Sequence, residues 1–158
     1  MINHDHLVND TLDSLNACKP TGQTYTYNQG VILGGLVELF KATNDHAYLT
    51  EARSIADAAT KSAHLSPNGV LREPGEGDGC GGDGPSFKGV FVRNLGELSR
   101  ALSDHPYHAY LEHTAQSAYT HGRNNENQYG NHWAGPLKET GAACQHSALD
   151  LMNAALKS

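Results

Sequence analysis

The sequence predicts an all-α fold built from stacked helical hairpins. Apolar residues recur at helical spacing in several segments that are separated by turn residues. An almost wholly apolar segment, 28–43, precedes a segment with one apolar face, 46–63, which is the pattern of an inner helix followed by an outer one. No stretch alternates apolar and polar residues strictly enough to predict a strand. We therefore expect six helices in a single domain, 1–158.

Length and charge exclude several functional classes. The 158 residues suffice for one domain with a substantial core. A formal net charge of −6 argues against a nucleic-acid partner. No apolar run approaches the ~20 residues that a transmembrane helix needs, so no membrane partner is expected. The first residues have no basic start followed by an apolar block, and we therefore predict no signal peptide in this chain.

The first two predicted helices flank a turn. Residues 5–17 carry four apolar residues at helical spacing, and the turn 19–22 ends that helix. These apolar residues are Leu7, Val8, Leu12 and Leu15. Residues 28–43 are apolar on nearly every face, so this helix should be buried on all sides. The pair Gly34-Gly35 lowers its helix propensity, which favours a close approach by another backbone there.

The rest of the chain alternates helices with long loops. Residues 46–63 carry a one-sided apolar stripe, as an outer helix would. Residues 64–86 form a loop, because the glycine-rich part at 75–85 cannot be the interior of a helix or strand. Helical periodicity then returns in three segments, and a second long loop precedes the last of them. These segments are 87–103, 107–121 and 139–156.

A cluster of aromatic and amide side chains leads into the helix at 28–43. Tyr25, Tyr27, Asn28 and Gln29 offer ring faces and amide groups. Sugars are bound by such sets, since rings cover their C–H faces while amides hydrogen-bond their hydroxyls. The alternative is structural: Asn28 caps the helix and the tyrosines pack in the core. The residues by themselves favour neither interpretation.

A second such cluster begins the helix at 87–103. Lys88 and Arg93 lie among apolar neighbours there, after Phe87. A cation near a helix N-terminus is electrostatically unfavourable, so Lys88 should have a partner or a function. The alternative is a lysine whose stem packs while its amine reaches water.

Carboxylates and metal-binding residues offer no clear catalytic set. Glycoside hydrolysis needs two carboxylates, and the nearest pairs are Asp10 with Asp13 on the first predicted helix and Glu73 with Glu76 in a loop. Either pair fits a solvated surface equally well. The acidic glycine-rich loop lacks the EF-hand spacing, so we expect a mobile loop over a cleft. No cofactor or metal site is predicted, because the histidines are scattered and no nucleotide-binding fingerprint is present.

Two motifs in this order resemble the signature of glycoside hydrolase family 76, the endo-α-1,6-mannanases. The first is Tyr25–Leu36 and the second is Phe87–Arg93. Four further segments are similar to other parts of the family pattern, so the resemblance spans nearly the whole chain. These segments are Leu7–Asp10, Leu39–Asp45, Tyr48–Ala59 and Gly69–Glu73.

The resemblance implies an (α/α)6 barrel, of which this chain would hold the C-terminal half. The adjacent Asp-Asp pair of the family, one nucleophile and one acid/base, belongs to the other half and has no counterpart here. The resemblance thus implies no catalytic residue in this chain and a mannose-containing oligosaccharide or polysaccharide as ligand. The residues implied to line or support a sugar cleft are Asp10, Tyr27, Asn28, Gln29, Phe87, Lys88 and Arg93.

The number and positions of the cysteines indicate whether disulfides are expected. Three cysteines over this length do not indicate a disulfide scaffold. The similarity to secreted relatives implies an extracellular location and a bridge between Cys18 and Cys80, which precede the two motifs.

Three functional hypotheses follow. In the first, the chain is a glycoside-hydrolase-like protein that is inactive alone or a weak glycan binder. In the second, two copies cover each other's apolar flank and close an active ring, with Asp10, Asp78 or Asp83 as candidate carboxylates. In the third, stacked hairpins form a non-enzymatic interaction module, because fold alone does not determine function.

Overall fold

The computed structural model describes residues 1–158 and contains five α-helices and one short β-hairpin. The hairpin strands are β1 (Thr11–Asp13) and β2 (Lys19–Thr21). The helices are α1 (Thr26–Thr43), α2 (Ala47–Lys61), α3 (Phe87–Ala101), α4 (His108–His121) and α5 (Ala142–Lys157). The predicted helical fold class is confirmed. None of the helices combines the length and the apolar character needed to cross a membrane.

Residues 5–17 do not form the predicted first helix, so the helix count is five and not six. β1 pairs with β2 in antiparallel register, which places Leu12 opposite Pro20. Leu12 and Leu15 are exposed, whereas Leu7 and Val8 are buried. The helical spacing of these four residues therefore does not mark one buried face, because the chain turns back on itself between them.

The helices form two layers. α1, α3 and α5 lie side by side, while α2 packs mainly on α1 and α4 mainly on α5. Glycines allow the close approach within the first layer: a β-carbon at Gly30 would lie 2.6 Å from the Cα of Phe91, and one at Gly89 would lie 2.8 Å from the Cα of Ser147. The close approach by another backbone that is predicted at Gly34-Gly35 does not occur: Gly34 faces the side chain of Asn94, and Gly35 has open space.

The layer of inner helices ends in two exposed apolar edges. On α1, Val31 is 60% exposed and Leu39 is 45% exposed. On α5, Leu149 is 49% exposed and Leu156 is 83% exposed. The expectation that the first apolar helix is buried on all sides is wrong, because α2 and α3 are the helices that pack on it and its face with Val31 and Leu39 stays exposed. We call these two surfaces the open edges.

The disulfide joins Cys80 to Cys144, with 5.4 Å between their Cα atoms. The predicted Cys18–Cys80 bridge is wrong: Cys18 lies exposed between β1 and β2 and is a free thiol. The bridge ties the glycine-rich loop to the first turn of α5. The Cys80 N–H also donates to Glu139 Oε1 at 3.1 Å. The loop is thus attached to the end of the inner layer and not to the hairpin.

Replacing Cys80 and Cys144 by Ser should lower the free energy of unfolding by up to ~4 kcal/mol, because a bridge across 64 residues restricts the unfolded chain. Urea denaturation followed by circular dichroism measures the loss. The matched control is Cys18→Ser, which removes an exposed thiol and should change little. An equal loss in the control would contradict a specific role for the bridge.

Candidate functional site

Three aromatic rings meet where α1 and α3 begin. Tyr25 precedes α1, Tyr27 lies in its first turn and Phe87 starts α3. The ring centroids of Tyr27 and Phe87 are 4.5 Å apart, and that of Tyr25 lies 5.7 Å from Phe87. All three side chains are partly exposed. Because α1 and α3 lie side by side, their first residues form one surface, which we call the aromatic rim.

Asp10 stands at the edge of the aromatic rim. The Tyr27 hydroxyl donates to Asp10 Oδ1 at 2.6 Å, and Asn28 Nδ2 donates to the same oxygen at 3.3 Å. These hydrogen bonds, that of Tyr27 first, lower the pKa of Asp10, and the bond to Asp10 raises the pKa of Tyr27. Asp10 is therefore an ionised acceptor whose Oδ2 receives no hydrogen bond from the protein. The residues Asp10, Tyr27, Asn28 and Phe87 thus lie close together, and the sugar-cleft role that the resemblance implies for them stays a prediction.

The structural alternative for Asn28 does not apply. α1 begins at Thr26, and its N-cap residue is Tyr25, with no hydrogen bond from a capping side chain. Asn28 instead lies inside the first turn and turns its amide toward Asp10.

Gln29 is fully buried and does not line the surface. Its Oε1 accepts from the Val8 N–H at 2.8 Å, and its Nε2 donates to the Val8 carbonyl at 2.8 Å and to the Tyr25 carbonyl at 2.9 Å. These bonds hold the N-terminal segment against α1, two residues before Asp10. The resemblance implies that Gln29 lines or supports a sugar cleft; its burial excludes the lining role, and its bonds to Val8 favour a supporting one near Asp10.

Lys88 is also fully buried, so it neither lines a cleft nor reaches water. Its ammonium contacts the Glu76 carboxylate and the Asn131 carbonyl, and it lies 4.4 Å from the ring centroid of Trp133. Burial lowers the pKa of Lys88, an effect that Glu76 opposes. The sequence predicts a partner or a function for this lysine. Its partner is Glu76, with which it forms an ion pair beneath the aromatic rim.

Arg93 lies apart from the other predicted residues. It is six residues after Phe87, which is roughly 9 Å along the helix axis. Its Nη1 donates to Asp150 Oδ2 on α5 at 2.9 Å, and its side chain is half exposed. The structure does not bring Arg93 to the aromatic rim.

Glu73 is buried, and the sequence does not predict the residue to which it is hydrogen-bonded. Its Oε1 accepts from the Thr26 N–H at 3.1 Å, and its Oε2 accepts from the Thr26 hydroxyl. Burial raises the pKa of Glu73 to about 7, although the hydrogen bonds from Thr26 act in the opposite direction. The available signal was the segment Gly69–Glu73, which resembles a family motif but does not reveal a contact 47 residues away.

Replacing Gln29 by Leu should lower the free energy of unfolding by ~2–3 kcal/mol, since the buried N–H and carbonyl of Val8 would lose their partners. Chemical denaturation measures this change. Gln116→Leu is the control, because Gln116 is exposed on α4 and bonds only Thr120. Equal stability of the Gln29→Leu variant and the unmodified chain would contradict the positioning role.

The chain is similar to members of one hydrolase family. The model of glycosyl hydrolase family 76 matches residues 1–158. The GH76A alpha-1,6-mannanase from Salegentibacter sp. HEL1_6 is 25% identical, with a TM-score of 0.72 over 85% of this chain and 40% of that one. An inactive variant of that enzyme in complex with alpha-1,6-mannotriose is also 25% identical, with a TM-score of 0.72 over 84% of this chain and 40% of that one.

A Listeria innocua protein shares the fold, with 24% identity and a TM-score of 0.79 over 99% of this chain and 44% of that one. No curated protein matches the chain. The chain spans about 40% of the length of the Salegentibacter structures. Its stacked hairpins correspond to part of that larger helical fold, in agreement with the predicted half barrel. Because the family model matches its full length, the chain belongs to glycosyl hydrolase family 76.

Proposed function

We propose that the chain is a glycoside-hydrolase-like unit that binds α-1,6-linked mannosides at the aromatic rim and does not hydrolyse them by itself. The observation that carries this proposal is the ionised Asp10 carboxylate, with Oδ2 free, beside partly exposed rings. The mannotriose complex of the related Salegentibacter enzyme supports this class of ligand.

Each rim residue has a distinct part in this proposal. The rings of Tyr27 and Phe87 cover the C–H face of a mannose unit, while Asp10 Oδ2 accepts a hydrogen bond from a sugar hydroxyl. An ionised acceptor makes a shorter and stronger hydrogen bond than a neutral one. Tyr27 and Asn28 hold Asp10 Oδ1, so Oδ2 keeps a defined direction.

The carboxylates near the rim support binding without hydrolysis. A retaining mechanism needs two accessible carboxyl groups roughly 5 Å apart. Asp10 is partly exposed, but Glu73 is only 4% exposed and the side chain of Glu76 is also only 4% exposed. Glu73 is bonded to Thr26 and Glu76 is paired with Lys88, so neither is free to act on a sugar. Asp10 alone does not supply the pair.

Mannotriose binding should weaken about fivefold in Tyr27→Phe, because Asp10 loses one hydrogen bond that orients it. Titration followed by NMR measures dissociation constants in the weak range expected for a single rim. Tyr119→Phe is the matched control, since Tyr119 is an exposed tyrosine on α4.

A folded chain that binds no mannoside, with Tyr27→Ala changing nothing, would favour the non-enzymatic interaction module. Release of reducing sugar from α-1,6-mannan by the purified chain would contradict the absence of hydrolysis.

A second candidate is a hydrolase completed by a dimer partner, which the open edges favour. Two copies that place α1 of one against α5 of the other would supply six inner helices, the number in the family barrel. Such pairing would cover Val31, Leu39, Leu149 and Leu156, which are exposed in one copy.

In this second candidate, light scattering should give twice the chain mass of 16.9 kDa, and Leu156→Glu should shift the protein toward the monomer. Leu15→Glu is the matched control, because Leu15 is an exposed leucine between the strands and outside the open edges. A monomer at high protein concentration would contradict dimer closure and leave the glycan-binding proposal intact.

A further inference from the structure

The first turn of α1 depends on a carboxylate from a distant loop. The first N–H groups of any helix have no partner within it, and the N-cap residue Tyr25 supplies no side-chain bond. Glu73 fills this place: its two oxygens accept from the backbone N–H and the hydroxyl of Thr26, the first residue of α1. Thr26 is fully buried, and its neighbours on either side are Tyr25 and Tyr27 of the aromatic rim.

We propose that Glu73 is a positioning residue for the mannoside-binding rim, because it fixes Thr26 and thereby the orientation of the Tyr25 and Tyr27 rings. This inference rests on the proposed function. It differs from a general packing role, since Glu73 accepts from both hydrogen-bond donors of Thr26, the one residue between the two tyrosines. Removing that hold would loosen the rim while the apolar contacts between α1 and α3 remain.

The charge state of Glu73 decides how firmly it holds Thr26. An ionised carboxylate accepts both hydrogen bonds, whereas a protonated one carries a hydrogen on one oxygen and accepts more weakly there. The charged groups facing it are Glu76 from its own loop and Lys88 from α3, while α1 presents the Thr26 donors. Lys88 and Thr26 favour the ionised form, and burial and Glu76 favour the neutral form. The pKa of Glu73, raised to about 7, places this change near neutrality.

The rim should therefore bind more weakly on the acid side of pH 7. The experiment titrates the full chain, labelled with 13C-tyrosine, with α-1,6-mannotriose on both sides of pH 7 and follows the ring signals by NMR. We expect the dissociation constant to rise about fivefold on acidification, the change equivalent to losing one ordinary hydrogen bond. Without ligand, the signals of Tyr25 and Tyr27 should shift with the same midpoint.

Glu73→Gln should remove the pH dependence of the dissociation constant and that of the tyrosine signals, because the neutral glutamine side chain does not titrate. Thr26→Val is a second variant: it deletes the hydroxyl bond with little change of shape and should reduce the pH dependence. Glu51→Gln is the control, since it neutralises an exposed carboxylate on α2, and it should keep the pH dependence. Far-UV circular dichroism establishes that each variant is folded.

The outcomes separate the two proposals. Mannotriose binding whose dissociation constant does not change near pH 7 would overturn the positioning role and leave glycan binding intact. A change near pH 7 that persists in Glu73→Gln would do the same. If the chain binds no mannotriose but the tyrosine signals shift near pH 7 and Glu73→Gln abolishes that shift, the proposed function is overturned and the positioning of the rings by Glu73 is supported. If mannotriose does not bind and the tyrosine signals do not shift near pH 7, the proposed function and the positioning role are both overturned.

Discussion

The buried ammonium of Lys88 is the group on which the loops of this protein depend. A buried charge is unfavourable unless it is paired and hydrogen-bonded, so loss of its partners would strongly destabilise the fold. Those partners are Glu76 in the glycine-rich loop and the carbonyl of Asn131 in the loop before α5, with the Trp133 ring over the ammonium. The Nδ1 atom of His132 also lies 3.3 Å from Glu76 Oε2. Two long loops are thereby held to the first turn of α3.

This arrangement explains why a surface of half-buried rings can keep a defined shape. Phe87 is the residue before Lys88, so the ion pair that holds Lys88 also fixes the start of α3. Glu73 lies in the same loop as Glu76 and holds the start of α1. The aromatic rim therefore rests on buried polar contacts, while the packing of Leu33, Leu95 and other apolar residues holds the helices together below it.

Close helix packing determines which residues can share the rim. Gly30 and Gly34 let α3 approach α1, and Gly89 lets α5 approach α3. A larger side chain at Gly30 would collide with the backbone at Phe91 and move the two helix starts apart. The same layer of three helices leaves both open edges uncovered. The rim and the open edges are thus consequences of one architecture, in which three inner helices present the aromatic rim at one end and leave two sides uncovered.

The sequence by itself determined the features that depend on local order. Helical periodicity predicted α1 to α5 to within a few residues, because each helix buries one stripe of its own residues. The two motifs indicated the family and contain Tyr27, Asn28 and Phe87, and the similar segment Leu7–Asp10 adds Asp10. The fold brings these four residues together; their binding role stays a prediction.

Only the tertiary structure decided the features that depend on where distant segments meet. Cys80 pairs with Cys144 across 64 residues, and Glu73 reaches Thr26 across 47. The apolar spacing at 5–17 predicted a helix, but the chain there forms a hairpin that follows the path imposed by Gln29 and Val8. Neither periodicity nor motif distinguishes a polar residue on the surface from one buried beneath it. Burial depends on which neighbours the whole fold supplies, and for Gln29 and Lys88 those neighbours come from segments far away in the chain.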